Sequence, residues 1–470
     1  VKVLMCASEM VPFAKTGGLA DVVGALPLAL EKLAVEVRVV IPRYKIAASR
    51  NLPPPFSGPA AASFSNDIEV TKIGKNVQVY LIKNDAYFNR DGLYGDKNGD
   101  YPDNLKRFSF FCRRTLELLS EINFKPDIIH CHDWQTALIP VYLKTIFSKN
   151  KFYTHIKTVF TVHNLAYQGV FSKEEYPKLG LDWSWFKIEG LEFYGKVNLL
   201  KGGLIFSDSL SAVSLAYSKE IQTKEFGCGL EGLLHQRKKD LFGIINGLDY
   251  EVWDPSQDQY IYKKYSPKNL EDKYVNKKLL QEEYGLTVRE DVPLLGMVSR
   301  LVKQKGLDLV TQGLGCLIDR SRIQMIVLGC GDAKYHNLLK DLVKKYPRSL
   351  SLCFDFNDPL AHKIYAAADI FLMPSYYEPC GLGQMIALKY GTIPLVFKTG
   401  GLSDTISEDN GFVFKDYSLR SFTYAVKRSV FAYEDKKRWL KLVKRAFTYD
   451  FSWEHSAREY VKLYQAVLNK

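Results

Sequence analysis

Lys15, Gly17 and Gly18 stand together in KTGGLADVV, residues 15–23. Glycines lack a Cβ and let a backbone approach a ligand closely. These two open an amphipathic stretch, and the amides and dipole of a helix start favour an anion. Lys15 adds a full positive charge. The same residue types recur as KTGGLSD at 398–404. Two such loops suggest two related half-sites facing one ligand. An ordinary strand-to-helix turn with a surface lysine fits the first loop equally well.

A second cationic pair lies in SRLVKQKGLD, residues 299–308. Arg300 is expected at a strand end, and Lys305 before a helix start at Gly306. Such a pair can clamp a diphosphate, Arg through its planar fork and Lys as a point charge. In isolation, two solvated bases read as well. In PSYYEPCGLGQMIAL (374–388), Glu378 is expected at a strand end before another glycine-containing helix start. A carboxylate there opposes anion binding. A sugar hydroxyl suits it, as does positive charge developing at carbon; so would the helix dipole alone.

Histidines and an aromatic complete the set. IIHCHDWQTAL supplies His130, His132, Asp133 and Trp134, and FTVHNLAYQG supplies His163. HCH puts two imidazoles on one strand face. No third ligand stands at metal spacing and HExxH is absent, so no metal is expected. Trp134 beside Asp133 reads as a carbohydrate platform, with core packing the competing reading. Absences narrow the chemistry further. There is no GxGxxG after the first strand, no GxxxxGK[ST] phosphate loop, and no DxD pair of the kind that anchors a metal in many sugar-nucleotide enzymes.

Positioning these residues needs strands that end beside them. VKVLMCA, VEVRVVI, VQVYLIK, PDIIHCH, IKTVFTVH and DSLSAVS read as short strands in the first half. Helix-like stretches separate most of them, among them 104–121 and 19–33, the latter expected to kink or restart at Pro27. A polar, turn-rich segment follows FGIINGLDYEVWDP and runs to about 270. Alternation then resumes with VPLLGMVSRL, IQMIVLGCGD, SLSLCFDF, DIFLMPS and TIPLVF. Two blocks of alternating strand and helix predict an α/β chain with two doubly wound parallel sheets. Ligands of such sheets sit at the carboxyl ends of the strands. The last stretch, 451–468, reads as an amphipathic helix.

The bulk numbers agree with that plan. A chain of 470 residues exceeds one ordinary core, and 47% hydrophobic with 13% aromatic residues excludes a disordered composition. VKVLMCASEM reads as a buried strand, not as a secretory leader. Eight scattered cysteines without CxxC pairs predict a reducing cytoplasm and no disulfides. The formal charge of +12 reads as a lysine-rich solvated surface or an electropositive cleft for an anionic substrate. No nucleic-acid motif accompanies it, and no apolar run spans a membrane.

Together these motifs resemble those of the bacterial and plant-type glycogen and starch synthases, glucosyltransferases with the GT-B fold. The matching runs are KTGGLADVVGALP, HCHDWQTAL, TVHNLAYQG, INGLDYEVWDP, SRLVKQKGLDL, YEPCGLGQ and TGGLSDT, in order along nearly the whole chain. The resemblance implies two Rossmann-like domains with a deep interdomain cleft: 1–245 on the acceptor side, 246–450 holding the donor, and 451–470 crossing back to the first. It implies glucose transfer from ADP-glucose to the non-reducing end of an α-1,4-glucan, with retention and without a metal or other cofactor. Closure over the donor would exclude water.

It also implies roles for individual residues. Lys15, Gly17 and Gly18 contact the donor phosphates. Arg300 and Lys305 clamp the diphosphate, helped by Cys380, Gly381, Leu382 and Gly383. His163, Asn246 and Glu378 meet the donor glucose, and Phe356 faces adenine. Tyr94, Asp133 and Trp134 lie on the acceptor side. His163, Glu378, Lys305 and Arg300 carry the catalysis. Gly383 stands where relatives carry a bulkier residue, and Tyr377 replaces a more usual Phe. A glycosyltransferase with another donor or acceptor, or a non-catalytic glucan-binding protein, are the alternatives.

Overall fold

The structure, a computed structural model, describes residues 1–48, 66–355 and 357–470; Phe356 lies outside the described residues. They form two compact units, Val1–Gly247 with Trp453–Lys470, and Leu248–Ser452.

The first unit is built on one eight-stranded sheet. Its strands are β1 (Lys2–Cys6), β2 (Glu36–Pro42), β3 (Ile68–Ile73), β4 (Val77–Ile82), β5 (Ile128–His132), β6 (Lys157–Val162), β7 (Ser209–Ala212) and β8 (Leu241–Gly243). They lie in the order β8-β7-β6-β5-β1-β2-β4-β3. All neighbours run parallel except β3, which pairs antiparallel with β4 at the edge. The central strands are buried on both faces, which is why β1 reads as an apolar run after Lys2 and why even His130 and His132 of β5 are buried.

Helix α1 (Gly18–Lys32) lays Leu19, Val22, Val23, Leu26 and Leu30 into the core beneath this sheet. It runs through Pro27 without restarting, so of the kink or restart expected there the restart does not occur. Pro27 is itself buried beside Leu26 and Ala29, so packing offsets the one hydrogen bond its missing N–H removes. The terminal helix, Trp453–Leu468, packs on α1 with Trp453, Tyr460, Tyr464 and Val467 buried. Its Tyr464 hydroxyl lies 2.8 Å from Nδ1 of His130. Helix α2 (Asn104–Glu121) has the bounds its periodicity predicts.

The second unit carries a six-stranded, all-parallel sheet. Strands β9 (Leu294–Val298), β10 (Gln324–Leu328), β11 (Leu350–Cys353), β12 (Ile370–Met373), β13 (Ile393–Phe397) and β14 (Phe412–Phe414) lie in the order β11-β10-β9-β12-β13-β14. Its helices include α3 (Leu307–Ser321), α4 (Gly383–Lys389), α5 (Gly400–Thr405), α6 (Leu419–Glu434) and α7 (Lys436–Ala446). Apart from HCH, which ends β5 itself, the motifs singled out above fall in loops after parallel strands or at the start of the helix that follows. Among the described residues no helix is long and apolar enough to cross a membrane, and all eight cysteines are free.

Candidate functional site

In the first unit the chain leaves β1, turns through Glu9 and reaches the KTGG loop. Glu9 is 4% exposed and makes no ion pair among the described residues. Its carboxylate accepts the Thr16 and Gly17 backbone N–H groups, the latter at 3.2 Å, and the Thr16 hydroxyl at 2.6 Å. The Gly17 amide, expected to face a phosphate, is thus already donated. Lys15 is half-exposed and pairs with Asp21 at 2.7 Å, one turn into α1. An ammonium has three donors, so two stay available. A Cβ at Gly17 or Gly18 would meet nothing within 4 Å, leaving that side of the loop open.

The second KTGG copy behaves differently. Gly400 and Gly401 open α5 but are buried, and the Gly401 N–H donates to the Glu378 carbonyl at 3.0 Å. A Cβ there would stand 2.1 Å from the Cys380 carbonyl oxygen. These glycines permit close packing against the 378–380 backbone. In this copy the Gly401 amide is taken by packing, where the sequence suggested two related half-sites facing one ligand.

Tyr94, expected on the acceptor side, donates its hydroxyl to Glu9 at 2.6 Å. Burial, then the Glu9 charge, pushes that hydroxyl well above its ordinary pKa and keeps it a donor. An aromatic chain runs on from it. The Tyr94 ring lies 6.0 Å from Phe108, and Phe108 lies 5.0 Å edge-on to Trp134. Trp134 is only 9% exposed, with Phe171 against it at 6.0 Å. Packing, not an open platform, accounts for most of its surface.

Asp133 follows β5 with φ 58° and ψ −179°, a combination costly for any residue but glycine. Its Oδ1 accepts the His163 N–H at 2.7 Å. Burial raises its carboxyl to about 7, against the pull of the His163 and Asn164 amides. His163 Nε2 lies 2.9 Å from His132 Nδ1, so one ring donates and the other accepts. Burial holds His163 down at about 3, and His130 likewise, while His132 falls well below its ordinary range. All three are neutral near pH 7. Asn246 follows β8; it is 5% exposed, and its Oδ1 is buried with no hydrogen-bond partner among the described residues. An orphaned buried amide oxygen costs about 1–3 kcal/mol, which a ligand hydroxyl would recover.

In the second unit, Arg300, Lys305 and Glu378 are brought together by loops after β9 and β12. Neither Arg300 nor Glu378 ends its strand: β9 stops at Val298 and β12 at Met373. Lys305 Nζ lies 2.6 Å from Glu378 Oε2, both largely buried. Ser375 donates its hydroxyl to the same oxygen at 3.0 Å. Gly306 makes the approach possible, with φ +77° and space for a Cβ closed off by the Pro374 carbonyl at 2.2 Å.

Gln304, which sequence reasoning missed, ties the two loops together. Its Oε1 accepts from Arg300 at 3.2 Å and its Nε2 donates to the Tyr377 carbonyl at 3.1 Å. Its own carbonyl accepts the Tyr376 N–H at 2.8 Å. Gln304→Ala is expected to lower kcat about tenfold through lost orientation of Arg300, with little change in the thermal midpoint. Gln304→Glu keeps the acceptor for Arg300 and should recover part of the rate. Steady-state kinetics on both variants checks this.

Past Glu378 the chain passes Cys380, Gly381 and Leu382 into α4. Gln384 Nε2 braces that turn by donating to the Cys380 and Gly381 carbonyls at 3.1 and 2.9 Å. Gly381 takes φ +74°. A Cβ at Gly383 would stand 2.9 Å from the Phe371 ring and 3.1 Å from the Met373 sulfur and the Tyr365 hydroxyl. The floor beneath explains why a glycine stands there. Glu9, Gln304 and Ser375 carry no motif signal of their own; each was invisible until the loops were placed. Among the described residues no three His, Cys, Asp or Glu side chains gather as a metal site.

Two parallel α/β units with anion-receptive loops after their strands define a hexosyltransferase of the GT-B class. Residues 2–236 match the starch synthase catalytic domain family and 282–445 match glycosyl transferases group 1. The chain belongs to the glycogen and starch synthase family. It is 48% identical to the glycogen synthase of Geotalea uraniireducens, covering 100% of this chain and 99% of that one. It is 44% identical to that of Thermosipho africanus, covering both chains fully. Among solved structures it resembles the catalytic domain of starch synthase IV from Arabidopsis thaliana bound to ADP and acarbose, with a TM-score of 0.90, 33% identity, and coverage of 100% and 99%. A sucrose-phosphate synthase from Thermosynechococcus elongatus, 15% identical with a TM-score of 0.63 and coverage of 100% and 99%, shares the fold.

Proposed function

We propose that the chain transfers glucose from ADP-glucose to the non-reducing end of an α-1,4-glucan, with retention and without a metal, in the cytoplasm. The observation that carries this reading is the Lys305–Glu378 pair joining the loops after β9 and β12 of the second unit, with Arg300 held on the same loop as Lys305 through Gln304. Breaking the glucose–phosphate bond leaves negative charge on the diphosphate and positive charge on the sugar. Arg300 and Lys305 would stabilise the first more in the transition state than in the ground state. Lys305 gives one donor to Glu378 and keeps two for phosphate oxygens. Lys15 and the Gly18 side of its loop would add donor-phosphate contacts, as would the turn from Cys380 to Gly383. Asn246 Oδ1 and neutral His163 would take glucose hydroxyls, with Glu378 near the sugar. Tyr94, Asp133 and Trp134 would serve the glucan acceptor.

The test is transfer of labelled glucose into glycogen in the presence of a chelator, with ADP-glucose and UDP-glucose run in parallel. Incorporation from ADP-glucose, undiminished by chelator and with the anomeric configuration kept, is expected. Transfer only from UDP-glucose, only to small acceptors, or only with metal would overturn the reading.

A further inference from the structure

A concave site of about 540 Å³ lies on the second unit, away from the loops above. It is a groove between α6 and α7, closed at one end by the 408–412 turn. Helix α6 presents Arg428, Phe431 and Ala432, positions i, i+3 and i+4 on one face. Facing them, α7 presents Arg438, Lys441, Leu442 and Arg445, again one face by spacing. Phe412 and Trp439 form its buried base, 7% and 2% exposed.

The charges do not balance. Arg428 pairs with Glu408, and Arg445 with Asp409 at 3.0 Å. Arg438 and Lys441 make no ion pair among the described residues. Four cations against two carboxylates leave an excess of two positive charges in the groove. Arg438, Lys441 and Arg445 repel one another along a single helix face, a small cost, and Asp409 pairs with Arg445 alone. Beside them Phe431 is 71% exposed, large for a ring at the wall of a cavity. Unneutralised cations beside apolar groups match an anion with a less polar body. The volume suits a small molecule.

We propose that this groove binds a small phosphorylated molecule, its phosphate against Arg438 and Lys441 and its body against Phe431 and Leu442. Arg438 supplies the planar fork and Lys441 a point charge, the usual division of labour toward phosphate. The site is independent of the transfer reaction, so binding can be read without any activity assay.

The experiment is equilibrium dialysis of the full chain with labelled inorganic phosphate and, in a second arm, ribose 5-phosphate. The doubly substituted Arg438→Gln/Lys441→Gln chain is compared with a control, Lys340→Gln/Lys344→Gln, that removes the same charge from an exposed helix elsewhere. The groove variant is expected to lose at least about tenfold in affinity for one site, while the control binds like the unmodified chain. Tighter binding of the sugar phosphate would show that Phe431 and Leu442 read the body, and equal binding that free phosphate is the ligand. Undiminished binding by the groove variant, equal weakening in the control, or no binding of either probe at millimolar concentration would each overturn the proposal.

Discussion

Lys305→Ala is expected to lower turnover by about 10²–10³-fold, the equivalent of about 3–4 kcal/mol of transition-state stabilisation. Arg300→Ala should fall in the same range. What sets the size of the effect is where charge appears. A nucleotide diphosphate binds with its charge already present, but a further negative charge builds on it only as the glucosyl bond breaks. A cation fixed beforehand meets that charge without reorganising. Lys305 is so fixed: Glu378 holds its Nζ at 2.6 Å, Ser375 holds Glu378, and Gly306 lets the turn press against the Pro374 carbonyl. The complication is that Lys305 also neutralises Glu378, a carboxylate only 7% exposed. Removing one partner of a buried pair destabilises by leaving the other uncompensated. The double variant Lys305→Ala/Glu378→Ala separates the two effects. Its thermal midpoint should recover toward that of the unmodified chain while its turnover stays low. Near-normal rates in both Lys305→Ala and Arg300→Ala would remove the clamp from the mechanism.

What the sequence conveyed, and what it withheld, follows from which forces are local. Parallel strands buried on both faces declare themselves as apolar runs, so β1, β5, β6, β9 and β10 were legible. Edge strand β3 was not. IEVTKI mixes Glu69, Thr71 and Lys72 among its apolar residues, which dilutes its signal. The helix Glu271–Glu283 is mostly charged and polar in sequence, yet Lys273 and Lys277 are buried. Lys273 donates to the Ala366 carbonyl at 2.8 Å and the Thr392 hydroxyl at 2.7 Å, and Lys277 pairs with Asp369 at 2.7 Å. Those partners lie about a hundred residues away, beyond any periodicity. The two KTGG runs make the same point for the site. Identical residue types gave an open loop at 15–18 and a packing contact at 398–401, because only the second meets the backbone at 378–380. Glu9, read within the buried VKVLMCASEM run, proved to be the carboxylate that organises the first loop.

Asp133→Asn is expected to stabilise the protein, and to do so more as pH rises. Burial lifts the Asp133 carboxyl to about 7 in the folded chain, against an ordinary value of 3.8. Between those two values the unfolded chain has lost the proton and the folded chain keeps it. The unfolded state then binds fewer protons, so stability falls as pH rises, by about 1.4 kcal/mol per unit, and levels off above pH 7. Asn cannot ionise, and its Oδ1 can still accept the His163 N–H. The advantage of the variant should therefore grow by about 3 kcal/mol between pH 5 and pH 8. His130, His132 and His163 titrate in the opposite sense, since burial keeps them neutral while the unfolded chain takes up protons below about pH 6.5. They are common to both proteins and cancel in the difference. Thermal midpoints of the two proteins at pH 5, 6, 7 and 8 check the prediction, and a gap that does not change with pH would show Asp133 ionised throughout. A residue that carries both a backbone strained at φ 58° and a carboxyl raised to about 7 lowers stability twice over. Such costs persist where a position is held for its chemistry, so the stabilised variant should also be the slower enzyme.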